Sequence, residues 1–247
     1  MLCVLYISMV YNLLMQTTRN PQTVPNHIQE SWDITFSGKR LIYNDNDCKR
    51  FLKTYFGSTY VSKFNSFTSS CFKADLFRYA WLYIHGGIYI DIKTTLVQHV
   101  NDIFPDENVM YIIYTANATE PAYNKRIFNG IIATPAKNPI MLKLLNGVMN
   151  FEENIYCQVC MDGYKTLVDI YKDIVNDDKG IIIGRHLSPD KCLYPDMHVY
   201  HEYINTHNDS IIQGPSDRYG SRCQIYNEKN EHIINVRCPH YGITWGP

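Results

Sequence analysis

Residues 73–93 read Lys-Ala-Asp-Leu-Phe-Arg-Tyr-Ala-Trp-Leu-Tyr-Ile-His-Gly-Gly-Ile-Tyr-Ile-Asp-Ile-Lys, and this stretch constrains the fold more than any other. Apolar residues recur at helical spacing through its first half, which predicts a helix over residues 72–84. Gly86 and Gly87 end that helix, because glycine enters backbone conformations closed to other residues. Ile88, Tyr89 and Ile90 then suit a buried strand, predicted over residues 88–92. Asp75 and Arg78 are spaced to share one helix face. The strand carries Asp91 to its carboxyl end, where open α/β sheets bind ligands. An acid–base pair from a helix and an acid from a strand end are thus aimed at a common ligand.

The rest of the chain reads as alternating strands and helices early and β-hairpins late. Strands are predicted at residues 28–32, 40–43, 109–115, 130–133 and 181–184. Asn44-Asp-Asn-Asp47 is a turn and N-cap cluster opening a helix to about residue 56. Further helices are predicted at residues 140–149 and 163–175, the second from Leu167, Ile170, Tyr171 and Ile174. Strands at 198–204, 223–226 and 232–236 follow, the last two joined by a turn at 227–231. Residues 1–15 are mostly apolar and carry no charged side chain, but the run is shorter than the roughly 20 residues of a membrane span. Residues 1–20 are therefore expected to be an apolar extension, packed or loosely ordered, ahead of a single domain over 21–247. A Golgi or ER signal-anchor is the alternative.

Several blocks resemble the glycosyltransferases named for a sugar-binding region containing a DXD motif, family 32. These include fungal initiation-specific α-1,6-mannosyltransferases and bacterial capsular polysaccharide enzymes. The family signature looks like an Asp-x-x-Arg-Tyr helix followed by Tyr-Gly-Gly-x-Tyr-x-Asp-x-Asp. It is met here by Asp75, Arg78, Tyr79, Gly86, Gly87, Tyr89 and Asp91, with His85 where Tyr is frequent. Pro25-Asn-His-Ile-Gln-Glu-Ser-Trp32 resembles the opening strand, Asn129-Gly-Ile-Ile-Ala-Thr-Pro-Ala-Lys-Asn-Pro139 a later strand and turn, and His240-Tyr-Gly-Ile-Thr-Trp245 a C-terminal element. The resemblance implies an α/β fold of the GT-A nucleotide-diphosphosugar transferase type. Its N-terminal half would be Rossmann-like and its C-terminal part more β-rich.

It also implies a retaining transferase that moves a sugar from a UDP- or GDP-linked donor to a glycan or glycoprotein hydroxyl. Asp75 and Arg78 would grip hydroxyls of the transferred sugar, and Tyr89 and Asp91 would contact the ribose and sugar–phosphate region. Asn129 would line the donor sugar, while His240, Thr244 and Trp245 would close over the diphosphate. The implied cofactor is Mn2+ or Mg2+, with Asp91 and His240 as candidate ligands. One position departs from the family: the second DXD acid is Lys93. An ammonium has donors and no acceptor, so it cannot ligate a metal, but it can hold a phosphate as a point charge. Lys93 therefore joins Asp75, Arg78 and Asp91 as a candidate catalytic residue. It also supports a second reading, a catalytically impaired relative that binds sugar nucleotides or glycans. Each residue has a plainer rival: an exposed helix ion pair for Asp75–Arg78, a helix cap for the glycines, strand packing for Tyr89.

Composition narrows the class. The chain has 247 residues and a formal net charge of −1, which argues against nucleic acid as a partner and gives no strong attraction to anionic membranes. Hydrophobic content of 45% and charged content of 19% are ordinary for a globular protein, with a soluble cytoplasmic or viral-factory location favoured. The Asn-, Ile- and Tyr-rich composition points to an AT-rich coding source such as a large DNA virus or a protist. Eight cysteines are expected as free thiols first, disulfides second and zinc ligands third, with Cys157 and Cys160 at metal or redox spacing. No Gly-x-Gly-x-x-Gly follows an early strand, which removes the usual dinucleotide fingerprint.

Overall fold

The computed structural model describes residues 11–92, 94–115, 126–150, 197–204, 221–226 and 232–238. Strand β1 (Leu13–Thr17) is followed by helix α1 (Asn26–Thr35), β2 (Lys39–Tyr43), and helices α2 (Asp45–Phe56), α3 (Ser58–Ser66) and α4 (Ser70–His85). Then come β3 (Gly87–Ile90), β4 (Thr94–Leu96), the short α5 (Val100–Ile103), β5 (Met110–Thr115), β6 (Arg126–Thr134) and α6 (Pro139–Asn150). Strands β7 (Met197–Ile204), β8 (Ser221–Tyr226) and β9 (His232–Cys238) complete the described elements. The order across the sheet is β2-β1-β3-β6-β5-β7-β8-β9-β4. β1 runs parallel to both β2 and β3, and β6 is antiparallel to β3.

Successive residues of the central strands divide between two apolar clusters, so both faces of the sheet are covered. Met15, Tyr89, Ile112 and Ile132 pack with α2, α3, α4 and α6. Leu14, Ile88, Ile90, Tyr111, Ile131 and Ala133 pack with α1 and α5 residues such as Ile28, Trp32 and Val100. Three layers result, as a mixed sheet that is apolar on both faces must be covered on both. Helix α4 is buried through Leu76, Phe77, Arg78, Tyr79, Ala80, Trp81 and Leu82, so it is a core helix and not a surface one.

The strand order contains its own switch point. β1 passes through α1 to β2 on one side, and β2 returns through α2–α4 to β3 on the other side of β1. The two crossovers lie on opposite faces, which opens a crevice at the carboxyl ends of β1 and β3. The link from β3 to β4 lies at that crevice. In the sheet β4 stands six strands beyond β3, about 29 Å away if the sheet were flat. Four Cα steps from Ile90 to Thr94 span at most about 15 Å. The sheet must therefore curl back on itself where Asp91 sits.

Two expectations are corrected. Residues 28–32 are helical, because Ile28, Trp32 and Thr35 are buried at i, i+4 and i+7 on one face of α1. The strand that opens the sheet is β1, from the segment read as an apolar extension; Leu14, Met15 and Gln16 have no exposed surface. A short apolar run buried on both sides cannot be told from an apolar tail by periodicity. The expected α2 start is present as a reciprocal capping box between Asn44 and Asp47. Strands over residues 40–43, 88–92, 109–115, 130–133, 198–204, 223–226 and 232–236 and helices over 72–84 and 140–149 are present, within a few residues at each end. The helix at 163–175, the strand at 181–184, Cys157 and Cys160 lie outside the described residues.

Candidate active site

Helix α4 reaches the crevice because Gly86 lets it turn directly into β3. Gly86 has φ 65° and Gly87 φ 94°, and the Gly86 N–H caps the helix on the Leu82 carbonyl at 2.8 Å. A Cβ on Gly87 would lie 2.6 Å from the Leu13 carbonyl oxygen of β1, so glycine also permits the close approach of β3 to β1. His85, in the place of the family's usual tyrosine, keeps an aromatic role: its ring centroid lies 5.2 Å from Trp81 and 5.6 Å from Phe51.

Arg78 is the centre of the site and is 5% exposed. Its Nη2 lies 3.2 Å from Asp75 Oδ1 and 3.7 Å from Asp91 Oδ1. Its Nη1 donates to the Asn129 carbonyl and its Nε to the Ala74 carbonyl at 3.3 Å. The guanidinium carbon stands 4.1 Å from the centre of the Tyr89 ring. Asn129, brought in by β6, donates from Nδ2 to Asp75 Oδ1 at 2.9 Å and to the Tyr79 hydroxyl at 3.2 Å. The Tyr89 hydroxyl donates to Asp91 Oδ1 at 2.6 Å. The Asp91 N–H donates to the Gly130 carbonyl at 2.8 Å, fixing the backbone of the strand end.

Burial sets the electrostatics. It raises the Asp75 carboxyl above the ordinary carboxylate range, although Arg78 and Asn129 pull the other way. Burial opposes the charge on Arg78, but Tyr89, Asp75 and Asp91 around it more than compensate and hold the guanidinium protonated. Burial also raises the Tyr89 phenol well above its usual range, so it is a neutral donor. The side chains form a graded set: Arg78 6% exposed, Asp75 15%, Asp91 41%. Arg78 thus lies beneath two carboxylates, of which Asp91 is the more exposed.

Five sequence-predicted residues, Asp75, Arg78, Tyr89, Asp91 and Asn129, converge here. The exposed-ion-pair rival for Asp75–Arg78 is removed by their burial. Lys93, His240, Thr244 and Trp245 lie outside the described residues. Sequence reading missed the contribution of β1: Gln16 Nε2 lies 3.5 Å from the Asp91 carbonyl oxygen. The only available signal was two polar residues closing an apolar run. An open groove beside β2 and α2, lined by Tyr43, Asp47, Arg50 and Phe51 among others, shares no residue with this cluster.

Residues 20–110 match the family model of the glycosyltransferase sugar-binding region containing a DXD motif. That segment of the chain is similar to the sugar-binding region of DXD glycosyltransferases. An uncharacterized glycosyltransferase of Acanthamoeba polyphaga mimivirus is 23% identical over 193 residues, covering 73% of this chain and 74% of that protein. The initiation-specific alpha-1,6-mannosyltransferase of Schizosaccharomyces pombe is 28% identical over 161 residues, covering 58% of this chain and 40% of the yeast enzyme. The mixed sheet with helices on both faces fits the GT-A type of fold for this glycosyltransferase.

Asp91 is the candidate metal ligand that the described residues include, and His240, the other, lies outside them. At the end of β3 Asp91 is the one carboxylate among the described residues, its Oδ1 is committed to Tyr89, and no group of three His, Cys, Asp or Glu side chains among them gathers there. Among the described residues no helix is long and apolar enough to cross a membrane.

Proposed function

We propose that this glycosyltransferase takes a nucleotide-diphosphate sugar, UDP- or GDP-linked, and transfers the sugar with retention to a hydroxyl of a glycan or glycoprotein. The observation that carries the reading is the Asp75–Arg78–Asp91 cluster at the switch point between β1 and β3. Two carboxylates over a buried guanidinium suit the vicinal hydroxyls of a hexose and a ribose, which donate to charged acceptors. Asn129 and Tyr89 hold the inner oxygens of these carboxylates, leaving their outer oxygens to the ligand.

In the transfer, the acceptor oxygen bonds to the anomeric carbon as the carbon–phosphate oxygen bond breaks. The nucleoside diphosphate leaves with the electron pair, and the acceptor proton passes to its phosphate oxygen. We take attack to come from the face the diphosphate leaves, since among the described residues both carboxylates of the cluster are engaged by Arg78 and its neighbours. Charge growing on the leaving group calls for a nearby cation. Lys93 is the residue we assign to that task, with His240, Thr244 and Trp245 closing over the diphosphate.

Turnover of a panel of UDP- and GDP-sugars, with glycan acceptors and with manganese or EDTA, tests the reading. Nucleotide release by wild type that is abolished in Asp91→Ala supports it and names the donor. Activity that persists in EDTA assigns the leaving-group charge to the chain's own cations; loss in EDTA restores a metal to the reaction. Lys93 in place of an acid favours a second reading, a binding module without turnover. Donor binding by calorimetry with no release under any condition would establish that alternative. Absence of both binding and turnover would refute the assignment of residues 73–93.

A further inference from the structure

We infer that Trp32 is a positioning residue for the donor site: its indole N–H anchors the link from Asp91 to Thr94 and thereby governs where Lys93 is presented. This rests on the donor site proposed above. Trp32 stands on the buried face of α1 and is 1% exposed. Its Nε1 donates to the Thr94 carbonyl at 3.1 Å, a contact across 62 positions of chain. Thr94 is the first residue of β4 and has no exposed surface. The Thr94 N–H in turn donates to the Asp91 carbonyl at 2.9 Å. That bond keeps the two Cα atoms within about 7 Å, as in a β-turn. A second side chain reaches the other end of the link. Gln16 of β1, also without exposed surface, places Nε2 3.5 Å from the same Asp91 carbonyl.

Donor and acceptor chemistry fixes each role. An indole N–H only donates and a carbonyl only accepts. Arg40 Nε likewise only donates, and it meets Gln16 Oε1 at 2.7 Å. That assigns the Gln16 amide: its oxygen is turned to Arg40, and its nitrogen is left for the Asp91 carbonyl. The two ends of the link differ in what else holds them. The Asp91 backbone is fixed independently, because its N–H donates to the Gly130 carbonyl at 2.8 Å. The Thr94 end depends on α1, through Trp32, and on β9, whose Val236 pairs with it. Lys93 stands between these two residues in the chain. Removing the indole N–H therefore leaves Asp91 in place and loosens the segment that carries Lys93. Lys93 is the cation assigned above to the leaving group, whose charge grows only in the transition state. Misplacing a catalytic group by about 1 Å costs up to about 100-fold in rate. Trp32 itself, buried in the core, touches no reacting atom.

The test replaces Trp32 in the full chain by benzothienylalanine, which keeps both rings and exchanges the N–H for sulfur. Lys93→Met, alone and combined with that analogue, completes a cycle. Ile28→Val, on the same buried face of α1, controls for packing. The donor is whichever UDP- or GDP-sugar wild type turns over. The analogue should lower kcat by about tenfold and leave donor KM nearly unchanged. In the Lys93→Met background it should add little, because the group it positions is gone. Ile28→Val should keep the wild-type kcat. Amide hydrogen exchange supplies a donor-independent readout. The Thr94 amide should lose protection in the analogue, while the Phe104 amide, which donates to the Val100 carbonyl, should not change. Wild-type kcat in the analogue, a penalty independent of Lys93, an equal kcat loss in Ile28→Val, or unchanged Thr94 exchange would overturn the inference. If wild type turns over no donor, or Lys93→Met keeps the wild-type kcat, the donor-site reading fails instead, and Thr94 exchange alone decides whether Trp32 anchors the link.

Discussion

Arg78→Met is the most demanding perturbation of this site, because it removes a charge and keeps an unbranched side chain of similar length. In the folded protein Arg78 is 5% exposed and meets Asp75 at 3.2 Å, the Asn129 and Ala74 carbonyls and the Tyr89 ring. Removing one partner of a buried ion pair costs about 3–5 kcal/mol, since the other charge is left without compensation. Asp91 contributes less to that sum, being farther away and 41% exposed. The cost should depend on pH, and the sign follows from Asp75. Burial already raises its carboxyl in the folded protein, with Arg78 opposing. Without Arg78 it rises further. Between the unfolded value of about 3.9 and the raised folded value, the folded state binds more protons. Stability therefore falls as pH rises through that window, by up to about 1.4 kcal/mol per pH unit, and the loss is complete above the folded value. Urea unfolding followed by tryptophan fluorescence, at pH 8 and pH 5, reads this directly. Arg78→Met should be destabilised by about 3–5 kcal/mol at pH 8 and should regain part of that at pH 5 relative to wild type. Asp75→Asn/Arg78→Met should recover stability at pH 8, because a neutral amide needs no counter-charge. A loss below about 1 kcal/mol, or a loss identical at both pH values, would refute the assignment of Arg78 as counter-ion to a buried carboxylate.

Two further outcomes follow from the backbone and the cysteines. Gly87→Ala should destabilise the protein by about 2–5 kcal/mol in urea unfolding, adding left-handed strain to a Cβ 2.6 Å from the Leu13 carbonyl. Gly57→Ala, at φ 88° with open space around it, should show the strain alone, about 1–2 kcal/mol; equal losses at both sites would refute the close approach of β3 to β1. Cys48 is buried and free, and burial raises its thiol far above the usual range. Mass spectrometry after native iodoacetamide treatment at pH 8 should find it unmodified until the protein unfolds; rapid native alkylation would refute its burial on the inner face of α2.

The helices and the motif were legible because their signals are local. Asn44 and Asp47 lie three residues apart, which is all a capping box needs. Gly86 and Gly87 marked the turn from α4 into β3 because only glycine is comfortable at their φ values. Asp75, Arg78 and Asp91 could be placed on one site for the same reason: helix period, turn and strand end are all read within residues 73–93. Pro25 to Trp32 misled for an opposite reason. Ile28 and Trp32 fit a strand in composition, and only the side they bury against, with Thr35, makes them helical.

What the sequence by itself determined is therefore the short-range frame: a buried helix, a glycine turn, a strand and an acid at its end. The tertiary structure decided everything that depends on register between distant segments. It made Leu13–Thr17 an interior strand, since that role requires β2 and β3 on either side. It brought Asn129 from β6 onto Asp75, and Gln16 of β1 onto the Asp91 carbonyl, contacts across 54 and 75 positions of chain that no local pattern encodes. It also determined the state of Asp75, because a carboxyl's affinity for its proton is set by what surrounds it, and burial exists only once the chain has packed.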